Sequence, residues 1–164
     1  MNTYTFPNPK KPFEDTATMS ILPAGAQNGT ILVIDDESQV RQIAVRMIER
    51  LGYHALDAEN SSEGIDILSR EASTICCVLL DWSMAGQSGV TTVQELRALH
   101  PTLPVIVMSG YNALDIDRQI GRPSIDGFLQ KPFRMDDLRV ALEHVRQRKL
   151  IQTPAYLGQT KNQK

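Results

Sequence analysis

The 164-residue chain has little of several things, and each shortage excludes something. It has two cysteines, and they are neighbours, Cys76 and Cys77. Adjacent cysteines give neither a disulfide framework nor metal-ligand spacing, so they read as small core hydrophobes. No apolar run approaches the roughly 18 residues that a membrane span needs. The first 29 residues hold no apolar core of the secretory kind, so the expected location is cytoplasmic. Charge of one sign is missing too: 17 Lys and Arg stand against 19 Asp and Glu, a formal net charge of -2. That balance argues against a whole-chain electrostatic footprint for nucleic acid or membrane. What remains, 41% hydrophobic and 22% charged residues, is enough to bury one ordinary core.

The ends read differently from the middle. Pro7, Pro9, Pro12 and Pro23 interrupt the first 29 residues, which are expected to form a flexible N-terminal arm, 1–29. Residues 150–164 are expected to form a polar, flexible tail. Between them, 30–149, two patterns alternate five times. Ile31-Leu32-Val33-Ile34, Ile75 to Leu80 and Val105-Ile106-Val107-Met108 are short, apolar runs rich in β-branched residues; Tyr53 to Ala58 and Gly127 to Leu129 are weaker versions. Strands apolar on both faces are buried on both faces, which is how parallel sheets read. Helical spacing fills the gaps. Val40, Ile43, Met47 and Leu51 are expected on one face, with Gly52 as the stop; Ile65, Leu68 and Ala72 mark a second helix. Val90, Val93, Leu96 and Leu99 mark a third, Leu114 to Ile120 a short fourth, and Leu138, Ala141, Leu142 and Val145 a fifth. Five strands joined by right-handed helical crossovers give a doubly wound α/β fold, flavodoxin-like, with parallel strand order 2-1-3-4-5.

The polar residues then fall into place. Strands of a parallel sheet end at one edge, so the residues after the apolar runs converge: Asp35 and Asp36, Asp81, Ser109 and Lys131. Strands one and three are neighbours where the winding reverses, so the three aspartates share a crevice. Two unit charges about 4 Å apart repel by roughly 4 kcal/mol at an effective dielectric of about 20. Such a cluster holds either protons or a cation, and hard oxygen ligands suit Mg²⁺. Lys131 adds a positive point charge and Ser109 a hydroxyl. The constellation fits phosphoryl transfer: an aspartate attacks phosphorus and becomes an acyl phosphate, with charge neutralised around it. Asp81 is the nucleophile candidate, since Asp35 and Asp36 supply metal ligands as a pair, and the Ser83 backbone carbonyl is a neutral fourth. Taken singly, an acidic pair after a strand is an ordinary helix N-terminus and a lone Asp an ordinary turn residue. Their order along one edge is what carries the case.

These residues resemble the response-regulator receiver domains of two-component signalling, over about Thr30 to Lys149. The resemblance lies in Ile31-Leu32-Val33-Ile34-Asp35-Asp36-Glu37, in Asp81 to Gly89, in Met108-Ser109-Gly110-Tyr111, and in Phe128-Leu129-Gln130-Lys131-Pro132-Phe133. It implies that Asp81 accepts phosphate from a phosphohistidine on a sensor histidine kinase or histidine phosphotransfer protein. It implies further that Asp35, Asp36 and Asp81 hold Mg²⁺, that Lys131 and Ser109 contact the phosphoryl group, and that the Lys131-Pro132 bond is cis. Phe128 takes the aromatic switch position beside Ser109 on the neighbouring strand. Phosphorylation would draw Ser109 inward, let Phe128 turn, and reshape the surface of helix four, strand five and helix five for an unidentified downstream protein or a second copy of the chain.

Departures from the pattern are few. Ala85 stands where the family often has Pro, and Ser61 and Gly64 where Gly and Ala are common. Gly64 near a helix start costs up to about 1 kcal/mol relative to Ala. No DNA-binding segment follows the fifth helix, no glycine-rich ATP lid is present, and His54, His100 and His144 sit in no phosphodonor motif. The expectation is a protein-protein signalling module, not an enzyme beyond its own phosphorylation and dephosphorylation. Two alternatives stand beside it: the receiver portion of a hybrid histidine kinase, and an interaction scaffold that never carries phosphate. A turnover phosphatase would want an Asp where Ser83 stands.

Overall fold

A computed structural model describes residues 28–111, 116 and 125–152. The expected arm before residue 28 and the tail beyond residue 152 lie outside the described residues, as does the expected fourth helix apart from Ile116, which is helical and fully buried. The strands are β1 (Thr30–Ile34), β2 (His54–Ala58), β3 (Ile75–Asp81), β4 (Val105–Ser109) and β5 (Gly127–Gln130). The described helices are α1 (Ser38–Arg50), α2 (Ser61–Glu71), α3 (Gly89–Leu99) and α4 (Met135–Gln152). The five strands form one parallel sheet in the order β2-β1-β3-β4-β5, as the alternating pattern requires.

Strands β1 and β4 are buried at every position, and β3 at six of its seven. Their side chains divide between two apolar layers. Leu32, Ile34, Val78, Leu80, Val105 and Val107 pack with Leu68, Val93 and Leu96 from α2 and α3. Ile31, Val33, Cys77, Leu79, Ile106 and Met108 pack with Ala44 and Ile48 from α1 and Leu138, Leu142 and Val145 from α4. Each fully buried Leu, Ile or Val contributes about 1.5–3 kcal/mol, so a three-strand stack apolar on both faces is the strongest ordering element in the chain. It holds the strand ends rigidly in register, with Ile34 beside Leu80 and Asp81 beside Met108.

One helix turns out rotated from expectation, and another meets it except at its last residue. In α1 the buried residues are Ala44 and Ile48, while Ile43 is 52% exposed. In α3, Thr92, Val93 and Leu96 are buried and Leu99 is 50% exposed. A small residue lets a helix approach the sheet closely, so Ala44 and not the larger Ile43 takes the contact. Gly52 ends α1 as expected, with φ +83. Gly64 has a packing reason that helix propensity does not show. A Cβ there would lie 2.4 Å from Ile34 Cδ1. Glycine is what lets α2 sit down on β1, and the propensity cost is offset by that approach.

Candidate functional site at the carboxyl edge of the sheet

The strand ends bring together what the sequence placed after each apolar run. Asp35 follows β1 and is fully buried; Asp81 closes β3 and is 2% exposed; Asp36 is exposed at the rim. Carboxylate oxygens of these three lie within 4.8 Å of one another. Lys131, just past β5, reaches into the same place. Its ammonium lies 2.8 Å from Asp35 Oδ2, 3.1 Å from Asp81 Oδ1 and 3.7 Å from Glu37 Oε1.

Main-chain bonds fix these side chains. The Lys131 amide donates to the Ser109 carbonyl at 2.8 Å, and the Trp82 amide to the Met108 carbonyl at 2.9 Å. Asp35 is tied from both directions: its amide donates to the Ala58 carbonyl at 3.1 Å, and its Oδ1 accepts the Glu37 amide at 2.8 Å. Arg41 on α1 adds a brace that sequence reading missed. It donates to the Asp35 carbonyl at 2.6 Å and pairs with Asp57 Oδ2 on β2 at 2.9 Å. The residue pairs involved are 6 and 16 positions apart, and no local pattern announces them.

Electrostatics here are unbalanced. Burial raises the Asp81 carboxyl above its usual range, and the Asp35 charge adds to that; Lys131 pulls the other way. Burial by itself would lower Lys131, but the hydrogen bond to Asp35 and the charges of Asp81 and Asp35 outweigh it, and the ammonium is held above its usual value. Lys131 therefore stays charged, and it meets only part of the negative charge of Asp35, Asp36 and Asp81. The donor set is all hard carboxylate oxygen, with Asp36 open to solvent, and fits a divalent cation of the Mg²⁺ type.

The other predicted residues stand as follows. Ser109, the last residue of β4, is fully buried, and its Oγ accepts the Tyr111 amide at 3.1 Å. Ser83 is exposed, and its amide lies 3.4 Å from Asp81 Oδ1. Phe128 is half-buried against the α2–α3 layer. Its register partner is Val107, while Gln130 lies opposite Ser109. Phe128 is thus one two-residue step along the sheet from Ser109, on the same face, and not directly beside it. The Lys131-Pro132 peptide bond is cis, as the resemblance implies. Trp82 is 7% exposed, and Gly89 makes room for it: a Cβ on Gly89 would lie 2.3 Å from the indole ring.

Comparison with known proteins agrees with this geometry. The sequence profile of the response regulator receiver domain matches residues 31–143. The chain is 30% identical over 118 residues to the sensor kinase CckA of Brucella abortus, covering 72% of this chain and 12% of that protein. It is 27% identical over 116 residues to sporulation initiation phosphotransferase F of Bacillus subtilis, covering 71% of this chain and 92% of that one. Among solved structures, a response regulator receiver domain protein from Clostridium thermocellum superposes with a TM-score of 0.68 at 31% identity, covering 75% of this chain and 98% of the other. The response regulator TrrA from Thermotoga maritima, solved in complex with Mg²⁺ and BeF, gives a TM-score of 0.62 at 25% identity, covering 71% and 98%. The chain spans 12% to 30% of the length of the first curated relatives it matches. Receiver domains take phosphoryl groups from histidine kinases or phosphotransfer proteins and bind Mg²⁺ at an acidic pocket. The matched profile, the strand order and the edge where Asp35, Asp36, Asp81 and Lys131 meet lead to one conclusion: this chain belongs to the response regulator receiver domain family.

Proposed function

We propose that Asp81 is the phosphoacceptor of a two-component phosphorelay, receiving its phosphoryl group from a phosphohistidine on a sensor histidine kinase or histidine phosphotransfer protein. The observation that carries this reading is Lys131 within ion-pairing distance of both Asp35 and Asp81 at an edge where three carboxylates crowd. An Asp81 oxygen forms the new P–O bond as the P–N bond of the donor breaks, and the electron pair leaves with the imidazole nitrogen. Burial disfavours the Asp81 anion, and Lys131 offsets part of that, favouring the charged form that attack requires. The same ammonium then neutralises a phosphoryl oxygen as charge moves onto it.

Asp35, Asp36, Asp81 and the Ser83 carbonyl would hold Mg²⁺, which supplies charge neutralisation for the transferring group when bound. Ser109 follows the phosphoryl group as a hydroxyl donor. Phe128 answers on the same sheet face, so the surface around β5 and α4 changes for a downstream protein or a second copy of the chain. On this reading the receiver spans 30–149, works in the cytoplasm, and signals by protein contact with no catalysis beyond its own phosphorylation and dephosphorylation. Among the described residues no helix is long and apolar enough to cross a membrane.

Incubation with acetyl phosphate and Mg²⁺, followed by intact-mass spectrometry, tests the reading. A single phosphorylated species is expected, lost with EDTA and absent in Asp81→Asn. An unmodified wild-type protein, or a modified Asp81→Asn, overturns it; partner binding indifferent to Asp81→Asn would point to a scaffold that carries no phosphate.

A further inference from the structure

The loop after Asp81 touches the acid pair at one point. The Ala85 amide donates to Asp36 Oδ2 at 2.9 Å, across 49 residues of sequence. Asp36 is the exposed member of the cluster, and Asp35 and Asp81 are buried and held by their own bonds. With the Ala85 bond in place, Asp36 still presents an oxygen within 4.8 Å of both partners. Like charges push an exposed carboxylate away from such a cluster, and its side chain has rotamer freedom to leave. A fixed donor on the loop side opposes both.

The donor is itself fixed. Ala85 lies between Met84, which is 6% exposed, and Gly86, whose φ is +78. The Gln87 amide returns to the Met84 carbonyl at 3.4 Å, closing a four-residue turn with its left-handed residue third. That is the signature of a type II turn, whose second position accepts proline readily. Gln87 anchors the far side of the turn, since its Oε1 accepts the Ser61 amide of α2 at 3.0 Å. The amide is therefore aimed by an anchored turn and does not depend on the Ala85 side chain. A proline at this position keeps the turn and removes the N–H.

We infer that Ala85 is a positioning residue whose backbone amide holds the Asp36 carboxylate ready for a divalent cation. The inference rests on the proposed role of the acid cluster as the Mg²⁺ site. Freed of the amide, Asp36 must be ordered at the moment of binding, so affinity drops by the cost of immobilising one side chain, about three- to tenfold.

The test compares Mg²⁺ dissociation constants of wild type, Ala85→Pro, Ala85→Ser and Asp36→Ala, and of Ala85→Pro combined with Asp36→Ala. Two readouts serve: the fluorescence of Trp82, and the Mg²⁺ concentration that shifts Tm. Ala85→Pro is expected to bind about three- to tenfold more weakly with its metal-free Tm unchanged, and Ala85→Ser to bind as wild type does. In the Asp36→Ala background the proline should make no further difference. Equal or tighter binding by Ala85→Pro overturns the inference and leaves the metal site standing, as does a proline effect that persists without Asp36. Absence of Mg²⁺ binding by wild type in both readouts overturns the site and this inference together. If Ala85→Pro does not fold, amide hydrogen exchange decides: the Ala85 amide is expected to be protected in wild type and exposed in Asp36→Ala, and fast exchange in both contradicts the inference.

Discussion

The two ends of the sheet handle charge in opposite ways. At the amino edge, Arg97 of α3 pairs with Asp126, just ahead of β5, at 2.6 Å. Asp126 Oδ2 also accepts the Val105 amide at 2.9 Å, and Arg97 donates to the Leu103 and Pro101 carbonyls. Among the described residues one cation pairs with one anion there, and backbone groups tie the charges down as well. At the carboxyl edge one ammonium faces three carboxylates, and burial raises Asp81. The balanced edge clamps the start of β4 to the start of β5. The unbalanced edge holds repulsion that a divalent cation would relieve. The fold thus places its balanced pair and its crowded carboxylates at opposite sheet edges, and the carboxyl edge is where open α/β folds bind ligands.

Breaking the balanced edge gives the largest expected effect on stability. Asp126→Ala removes the carboxylate that the Arg97 guanidinium and the Val105 amide share, and should cost about 2–3 kcal/mol, read from chemical denaturation. Mg²⁺ affinity should not change. A change in affinity with no loss of stability would erase the distinction between the edges.

Removing the ammonium that faces the acid cluster of the other edge comes next. Lys131→Ala leaves three carboxylates unopposed and should destabilise the metal-free protein by about 1–2 kcal/mol near neutral pH. Added Mg²⁺ should restore most of that, because the ion takes over the neutralisation. Failure of Mg²⁺ to restore stability would show that Lys131 acts through packing.

The smallest effect has the opposite sign. The folded state raises the Asp81 pKa, so it binds that proton more tightly than the unfolded chain does. The ionised group therefore lowers stability at pH values above its raised pKa, and the penalty fades as pH falls through it. Asp81→Asn should accordingly gain on the order of 1 kcal/mol in EDTA at neutral pH. The gain should shrink on acidification, a trend that thermal denaturation across pH can follow. A gain that grows with acid would contradict the account. Lys131 behaves in the complementary way: its raised pKa stabilises the fold below the ordinary lysine pKa, and that is lost as pH rises through the folded value.

How far the sequence reaches differs between these regions for a physical reason. The runs at Ile31, Ile75 and Val105 name their strands almost to the residue, because burial on both faces leaves a local record. Asp35, Asp81 and Lys131 are equally legible, since each closes its strand or follows it directly. The helix faces are less so. Periodicity cannot distinguish Ile43 from Ala44 as the residue that meets the sheet, and the close approach of α1 favours the smaller one. The braces leave no local trace at all. Arg41 to Asp57, Arg97 to Asp126, Ser61 to Thr92 and Ala85 to Asp36 join segments far apart in sequence through side chains or amides that look ordinary where they stand. Gly64 appears as a blemish in a helix until Ile34 is seen against it.

The central claim is that Asp35, Asp36 and Asp81 surround one divalent ion beside a phosphorylatable carboxylate. Diffraction from crystals grown with Mg²⁺ and beryllium fluoride tests it most directly. The account predicts one Mg²⁺ on those carboxylates, a beryllofluoride group on Asp81 and the Lys131 ammonium against a fluorine. Ordered carboxylates with neither the ion nor the adduct between them would contradict it.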